Sequence, residues 1–166
     1  MSDKPGSFLE RGGGWVVIQF LLMITVIVLG TAFHGDWTRV PLIVAGAFLF
    51  LVGACFGIAG VKVLGRNRTA YPRPRDGSDL VQNGIYARVR HPLYTSVMLS
   101  SFGWALIWQS SSSFVAALAL IPFFYAKARR EERWLCAKFP GYAVYARRVP
   151  GFIPRLGTKR NVCCNF

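Results

Sequence analysis

The sequence is poor in charged residues, and acidic residues are the scarcest of them. Asp, Glu, Lys and Arg together make up 16% of the 166 residues, whereas 53% of the residues are hydrophobic. A soluble domain of this size usually carries about 25% charged residues. The apolar residues also occur in long blocks, which is typical of membrane-spanning helices. We therefore predict a single all-α domain, a polytopic helix bundle in a membrane.

Histidine and cysteine are also scarce. The chain has 2 histidines and 4 cysteines, and the cysteines show neither zinc-binding nor redox spacing, so we predict no metal site. The shortage of acidic residues leaves a net charge of +13, which favours either nucleic acid or anionic lipid headgroups as partners. Because the chain is apolar and lacks a basic-plus-aromatic module, we predict membrane lipids and no nucleic acid.

Four apolar blocks predict four membrane spans, at about residues 15–33, 41–64, 93–109 and 113–127. The first block would span roughly 28 Å as a helix, which matches a hydrocarbon core of about 30 Å. It is too long for a typical signal-peptide core, although a removed signal is the alternative. The fourth block is short, and we expect its helix to continue into the aqueous phase to about Leu135. Five segments result instead if the second block is a broken pair of helices.

The second block carries a row of glycines. Their spacing places them on one face of a helix, and two of them form a GxxxG pair that allows close approach of a neighbouring backbone. They are Gly46, Gly53, Gly57 and Gly60. The sequence leaves open whether this face packs inside the bundle or forms a dimer.

The distribution of basic residues predicts the orientation in the membrane. With four spans, both termini and the polar segments 65–92 and 128–155 lie on one side, which carries most of the arginines. The positive-inside rule then places the termini and both polar segments in the cytoplasm. We expect these two segments to form the functional site.

The densest polar grouping beside an apolar block runs from Gly84 to Tyr94. Pro92 suits the first turn of a helix, so His91 is predicted at the amino end of the third span. Free backbone N–H groups and the positive end of the helix dipole favour an anionic ligand there. Taken alone, the same residues would equally suit an interfacial anchor of snorkelling arginines and belt tyrosines.

Two further groupings follow the fourth block. Glu131 and Glu132 should lie near His91, because the third and fourth blocks form a hairpin, and ionisable groups at a membrane interface are candidates for function. Helical ion pairs with Lys127 and Arg129 are the structural alternative. Beyond the helix break at Pro140 and Gly141, a stripe of tyrosines predicts a short amphipathic helix on the membrane surface.

These three groupings together resemble the isoprenylcysteine carboxyl methyltransferase family and the related membrane phospholipid methyltransferases. The motifs are Gly-x-Tyr-x-x-x-Arg-His-Pro-x-Tyr from Gly84, Glu-Glu-x-x-Leu from Glu131, and Tyr-x-x-Tyr followed by Arg-Val-Pro from Tyr142. The resemblance covers roughly residues 79–154. It implies S-adenosyl-L-methionine as methyl donor and a multi-helix membrane fold without a Rossmann domain. Consistent with this, no GxGxxG motif follows a predicted strand.

The resemblance also implies roles for individual residues. A basic residue near the substrate carboxylate is expected one helical turn before the cofactor glutamate, where this chain has Lys127 in place of the more common arginine. From the positions of these residues we further expect Arg88, Arg90 or Lys127 to position an acidic substrate, and Glu132 to accept a proton if the nucleophile is an amine. The implied cofactor contacts are Tyr71, Ser78, Asp79, Leu80, Val81, Tyr86, His91, Pro92, Leu93, Tyr94 and Glu131.

The sequence therefore predicts a membrane methyltransferase that acts on the carboxylate of a prenyl-cysteine-like or other lipophilic acid. Two alternatives remain open at this stage. One is N-methylation of a phospholipid amine, and the other is a non-catalytic membrane scaffold.

Overall fold

The protein is built from helices packed side by side. The computed structural model describes residues 12–65, 77 and 79–154, and each regular element within these ranges is helical. This confirms the all-α prediction. The elements are α1 (Gly13–Ala32), α2 (Val40–Leu64), a short 3-10 helix (Gly84–Ala87), α3 (Pro92–Ile107), α4 (Ser111–Lys138) and α5 (Tyr142–Arg148).

All four predicted apolar blocks form helices, but their lengths differ. Within the described residues, α1, α2 and α4 are the three helices long and apolar enough to cross a membrane. α3 has 16 residues, which corresponds to about 24 Å. α2 is one unbroken helix of 25 residues, so the alternative of a broken pair is wrong. Large apolar side chains of α1 and α2 such as Leu21 and Leu51 are exposed, as expected for helices that face lipid.

The glycine face of α2 packs inside the bundle, against α3. Gly46 lies against the backbone of Gly103, and Gly53 lies against Ser100. A methyl group added at Gly53 would come within 2.5 Å of the Ser100 hydroxyl oxygen and within 2.9 Å of its backbone nitrogen. The glycines therefore set the distance between α2 and α3, and this contact positions the amino end of α3.

Replacing Gly53 with leucine is expected to force α2 and α3 apart. Overpacking of this kind costs about 1–3 kcal/mol, which should lower the melting temperature in detergent by about 2–10 °C. Gly14→Leu is the control, because no heavy atom of the described residues lies within 4 Å of a methyl group added at Gly14. Equal melting temperatures for the two variants would show that the glycine face does not set this packing.

α4 continues beyond its apolar part, as predicted. Ser110 caps it by accepting a hydrogen bond from the Ser113 N–H, and it runs to Lys138 with Pro122 inside it. Its first half packs against α1, where Val26 joins Leu120 and Phe124 in a buried core. Its second half carries the predicted carboxylates.

α5 forms where a short amphipathic helix was predicted, but its tyrosines face protein. Tyr142 and Tyr145 are buried and pack with Leu80, Leu135 and neighbouring apolar residues. The expectation that this stripe anchors the helix on the membrane surface is therefore wrong. Hydrophobic spacing marks the buried face of a helix without specifying whether lipid or protein covers it.

Candidate active site

The site begins at the amino end of α3. His91 is the N-cap residue of this helix and is 5% exposed. The Arg90 N–H donates a hydrogen bond to the Pro150 carbonyl and the His91 N–H donates to the Gly151 carbonyl, both at 2.9 Å. The sequence predicts free backbone N–H groups near His91 for an anionic ligand, but the His91 amide itself is not free. The segment after α5 occupies both amides instead, and it fixes the position of His91 relative to α4.

The two carboxylates of α4 lie on opposite sides of the His91 ring. His91 Nε2 is 2.8 Å from Glu132 Oε1, and His91 Nδ1 is 3.8 Å from Glu131 Oε2. Adjacent residues of a helix point about 100° apart, so one turn of α4 brings a carboxylate to each ring nitrogen. The prediction that the two groupings meet across the α3–α4 hairpin is confirmed.

The two carboxylates differ in their other partners. Arg90 Nη1 lies 2.9 Å from Glu132 Oε1, and the side chains of these residues are 9% and 19% exposed. Glu131 accepts a hydrogen bond of 2.6 Å from the Tyr94 hydroxyl, and its side chain is 27% exposed. Glu132 therefore contacts a guanidinium group, whereas the shortest contact of the more exposed Glu131 is with a neutral donor.

A stack of aromatic rings holds the orientation of His91. The rings of His91 and Tyr94 are nearly parallel, with centroids 5.4 Å apart, and Phe152 packs on His91 at 5.5 Å. Tyr94 stacks in turn on Phe124 of the bundle core at 4.9 Å. Stacked rings restrict both side chains to one rotamer, so the carboxylate partners of His91 and Tyr94 are held in fixed positions.

Lys127 lies one turn before Glu131 and is buried in the bundle. The residue is 1% exposed. Its ammonium group donates a hydrogen bond of 2.5 Å to Gln19 Oε1 of α1 and lies 5.2 Å from the centroid of the Tyr94 ring. A buried ammonium requires such partners, because its desolvation is costly.

Three tyrosines close the other side of the site. The Tyr145 hydroxyl donates to the Tyr86 carbonyl at 2.7 Å, and the buried Tyr142 hydroxyl has no hydrogen-bond partner among the described residues. Burial, and then the charge of Glu131, raises the pKa of Tyr86. Burial, and then the charge of Glu132, raises the pKa of Tyr142. Both phenols are therefore protonated at neutral pH and available as hydrogen-bond donors.

The structure brings about half of the predicted site residues together in one network. Tyr86, Arg90, His91, Tyr94, Lys127, Glu131 and Glu132 come together in the network described above. Pro92 and Leu93 form the first turn of α3 and pack on Gly60, whereas Leu80 packs on α5. Asp79 is exposed and Val81 is partly buried, and Tyr71 and Ser78 lie outside the described residues.

Several residues of this network were absent from the predicted set, Phe124 and Tyr145 among them. Phe152 contacts His91, Tyr142 brings a buried hydroxyl to the site, and Gln19 accepts a hydrogen bond from Lys127. Tyr142 belongs to the third motif, and Gln19 interrupts an apolar block, so both carried a signal in the sequence. Phe152 follows the last motif and carried none.

The polar side chains of the site suit an organic ligand that carries a positive charge and hydrogen-bonding groups. Glu131 offers a carboxylate to a cation, and the protonated phenol of Tyr86 offers a hydrogen-bond donor beside it. The described residues include no group of three or more His, Cys, Asp or Glu side chains that could hold a metal ion. A carboxylate and a phenol donor can together bind an organic cation that carries further polar groups.

Comparison with known proteins identifies the family. The family model described as phospholipid methyltransferase matches residues 41–141, more than half of the chain, and the chain therefore belongs to this family. A protein-S-isoprenylcysteine O-methyltransferase of Schizosaccharomyces pombe is 36% identical over 45% of this chain and 33% of its own length. The predicted resemblance to membrane methyltransferases is thus confirmed.

Two further relatives align along nearly the whole chain. The cobalt-zinc-cadmium resistance protein CzcN of Cupriavidus metallidurans is 32% identical over 96% of this chain and 72% of its own length. The nickel-cobalt-cadmium resistance protein NccN of Alcaligenes xylosoxydans xylosoxydans is 30% identical over 93% of this chain and 70% of its own length. Both alignments include α1, which lies outside the residues matched by the family model.

Proposed function

We propose that this member of the phospholipid methyltransferase family transfers a methyl group from S-adenosylmethionine to the carboxylate of a lipophilic acid. The buried ammonium of Lys127 carries this proposal. Lys127 is 1% exposed, and its ammonium lies against the ring of Tyr94, whose hydroxyl donates a hydrogen bond to Glu131. A cation in such surroundings favours an anionic acceptor, because opposite charges attract more strongly where water is excluded.

The cofactor is proposed to bind at the exposed edge of the network. Glu131 would hold its ammonium group, and Tyr86, His91 and Tyr94 would contact its remaining polar groups. The cofactor supplies a methyl group activated on a sulfonium. The protein then has to align the acceptor with this methyl group at about 3–3.5 Å and exclude water.

The contacts of Glu132 favour an acid over an amine as the acceptor. A carboxylate nucleophile requires no general base, whereas an amine must lose a proton. Glu132 was the predicted proton acceptor, but it lies 2.9 Å from the Arg90 guanidinium and 2.8 Å from the His91 ring. A carboxylate stabilised by these partners is a weak base. We therefore propose that Glu132 positions His91, and that Arg90 supports Glu132.

The proposed orientation follows from the basic residues of the polar segments. Lys62 lies in the last turn of α2, and Arg147 and Arg148 lie in the last turn of α5. Basic residues beside membrane helices favour the cytoplasmic side. On this basis the site faces the cytoplasm, where S-adenosylmethionine would reach it without crossing the membrane.

Labelled cofactor distinguishes the two enzymatic alternatives. Purified protein in detergent is incubated with methyl-labelled S-adenosylmethionine and either N-acetyl-S-farnesylcysteine or phosphatidylethanolamine vesicles. We expect base-labile label in the acid, released as volatile methanol on hydrolysis. Label in the phospholipid headgroup would instead support N-methylation, and Glu131→Gln serves as the inactive control for either outcome.

A further inference from the structure

Gln19 is the polar side chain through which α1 reaches the site. The other two polar side chains in α1 belong to threonines, and both bond within the helix. Thr25 donates to the Leu21 carbonyl, and Thr31 donates to the carbonyl of Ile27. Gln19 differs because its amide oxygen accepts the hydrogen bond from Lys127, a residue 108 positions away.

The bond to Gln19 draws the Lys127 ammonium toward α1. A lysine near the end of a membrane helix normally extends its flexible stem toward water. Lys127 is instead 1% exposed, with Gln19 accepting its hydrogen bond and the Tyr94 ring 5.2 Å away. Of these two contacts, one comes from α1 and the other from α3, and both help to hold the ammonium inside the bundle.

The position of Gln19 in the chain separates it from the family pattern. The family model matches residues 41–141, whereas Gln19 lies in α1. The cofactor-site residues all fall within the matched part or next to it. A contribution from α1 therefore adds a feature that the shared part of the family does not specify.

We infer that Gln19 is a positioning residue that holds the Lys127 ammonium at the acceptor site, and that α1 thereby gives this chain its preference for anionic acceptors. This inference rests on the proposed function, since it assumes that the acceptor reaches Lys127. Without Gln19, the ammonium loses its hydrogen-bond acceptor in α1, and its stem can turn toward the aqueous end of α4. The anionic group of the acceptor then loses its fixed counter-charge, while cofactor binding at Glu131 is retained.

The test compares an acid with its neutral ester. N-acetyl-S-farnesylcysteine and its methyl ester share the same apolar tail. The difference between their Kd values therefore reports the contribution of the carboxylate. In Gln19→Leu, we expect the Kd of the acid to rise about tenfold to a hundredfold and the Kd of the ester to stay unchanged. Thr25→Val is the control, because Thr25 is exposed and bonds only its own helix.

A variant of Lys127 shows whether Gln19 acts through this residue. In a Lys127→Met background, Gln19→Leu should cause no further change in the Kd of the acid, because coupled residues are non-additive. Equal effects on acid and ester, no effect on either, or no binding of the acid by the wild type would overturn the inference. Binding of S-adenosylmethionine is measured in parallel, and its absence in the wild type would contradict the proposed function separately.

Discussion

Replacing Glu131 with glutamine is expected to weaken binding of S-adenosylmethionine by about a hundredfold and to abolish methyl transfer. The substitution keeps the shape of the side chain and removes its charge. A hydrogen bond to a charged partner contributes about 1.5–3 kcal/mol, and 3 kcal/mol corresponds to roughly a hundredfold in affinity. In this variant the amide oxygen of residue 131 can still accept the hydrogen bond from the Tyr94 hydroxyl. The stack of Tyr94 on His91 should therefore persist.

Equilibrium binding of the labelled cofactor to purified protein measures this effect. Arg133→Gln is a suitable control, since Arg133 is an exposed residue of the same helix. The melting temperature of Glu131→Gln should stay close to that of the wild type. Unchanged affinity for S-adenosylmethionine in this variant would remove Glu131 from the site.

Replacing Glu132 with glutamine is expected to lower the stability of the fold, in contrast to the effect of Glu131→Gln on cofactor affinity. Glu132 lies between Arg90 and His91, whose side chains are 9% and 3% exposed. Removing one partner of a buried ion pair costs about 3–5 kcal/mol, because the remaining charge has no compensation. For a protein of this size we expect the melting temperature of Glu132→Gln to fall by about 10 °C.

The neighbouring position provides the internal control for this prediction. Glu131→Gln and Glu132→Gln make the same chemical change one residue apart, so thermal unfolding in detergent should separate them clearly. A double variant, Arg90→Met with Glu132→Leu, should recover part of the lost stability, since apolar residues can replace a buried ion pair. Equal melting temperatures for the two single variants would contradict the assigned roles.

Much of the fold could be predicted from the sequence because local patterns determine it. The apolar blocks become helices, Pro140 and Gly141 end α4, and the glycines of α2 meet α3 in one face. The motif residues also meet as predicted, since the short connection at 108–110 makes α3 and α4 neighbours. In each case the information lies within one or two consecutive elements.

The parts that could not be predicted depend on contacts between distant segments. The bond between Gln19 and Lys127 requires α1 to pack beside α4, which no local pattern specifies. The use of the Arg90 and His91 amides by residues 150 and 151 likewise depends on where the chain returns after α5. Such contacts are decided by tertiary packing, and propensity and periodicity do not encode them.

The most direct test of the proposed cofactor site is photochemical cross-linking of labelled S-adenosylmethionine to the purified wild-type protein. Trypsin cleavage followed by mass analysis then locates the label. The proposed site predicts label in the peptides 76–88 and 91–127, which carry Tyr86, His91 and Tyr94, and loss of this label when S-adenosylhomocysteine is added in excess. Label confined to peptide 12–39 or 40–62, or label that the competitor does not remove, would contradict it.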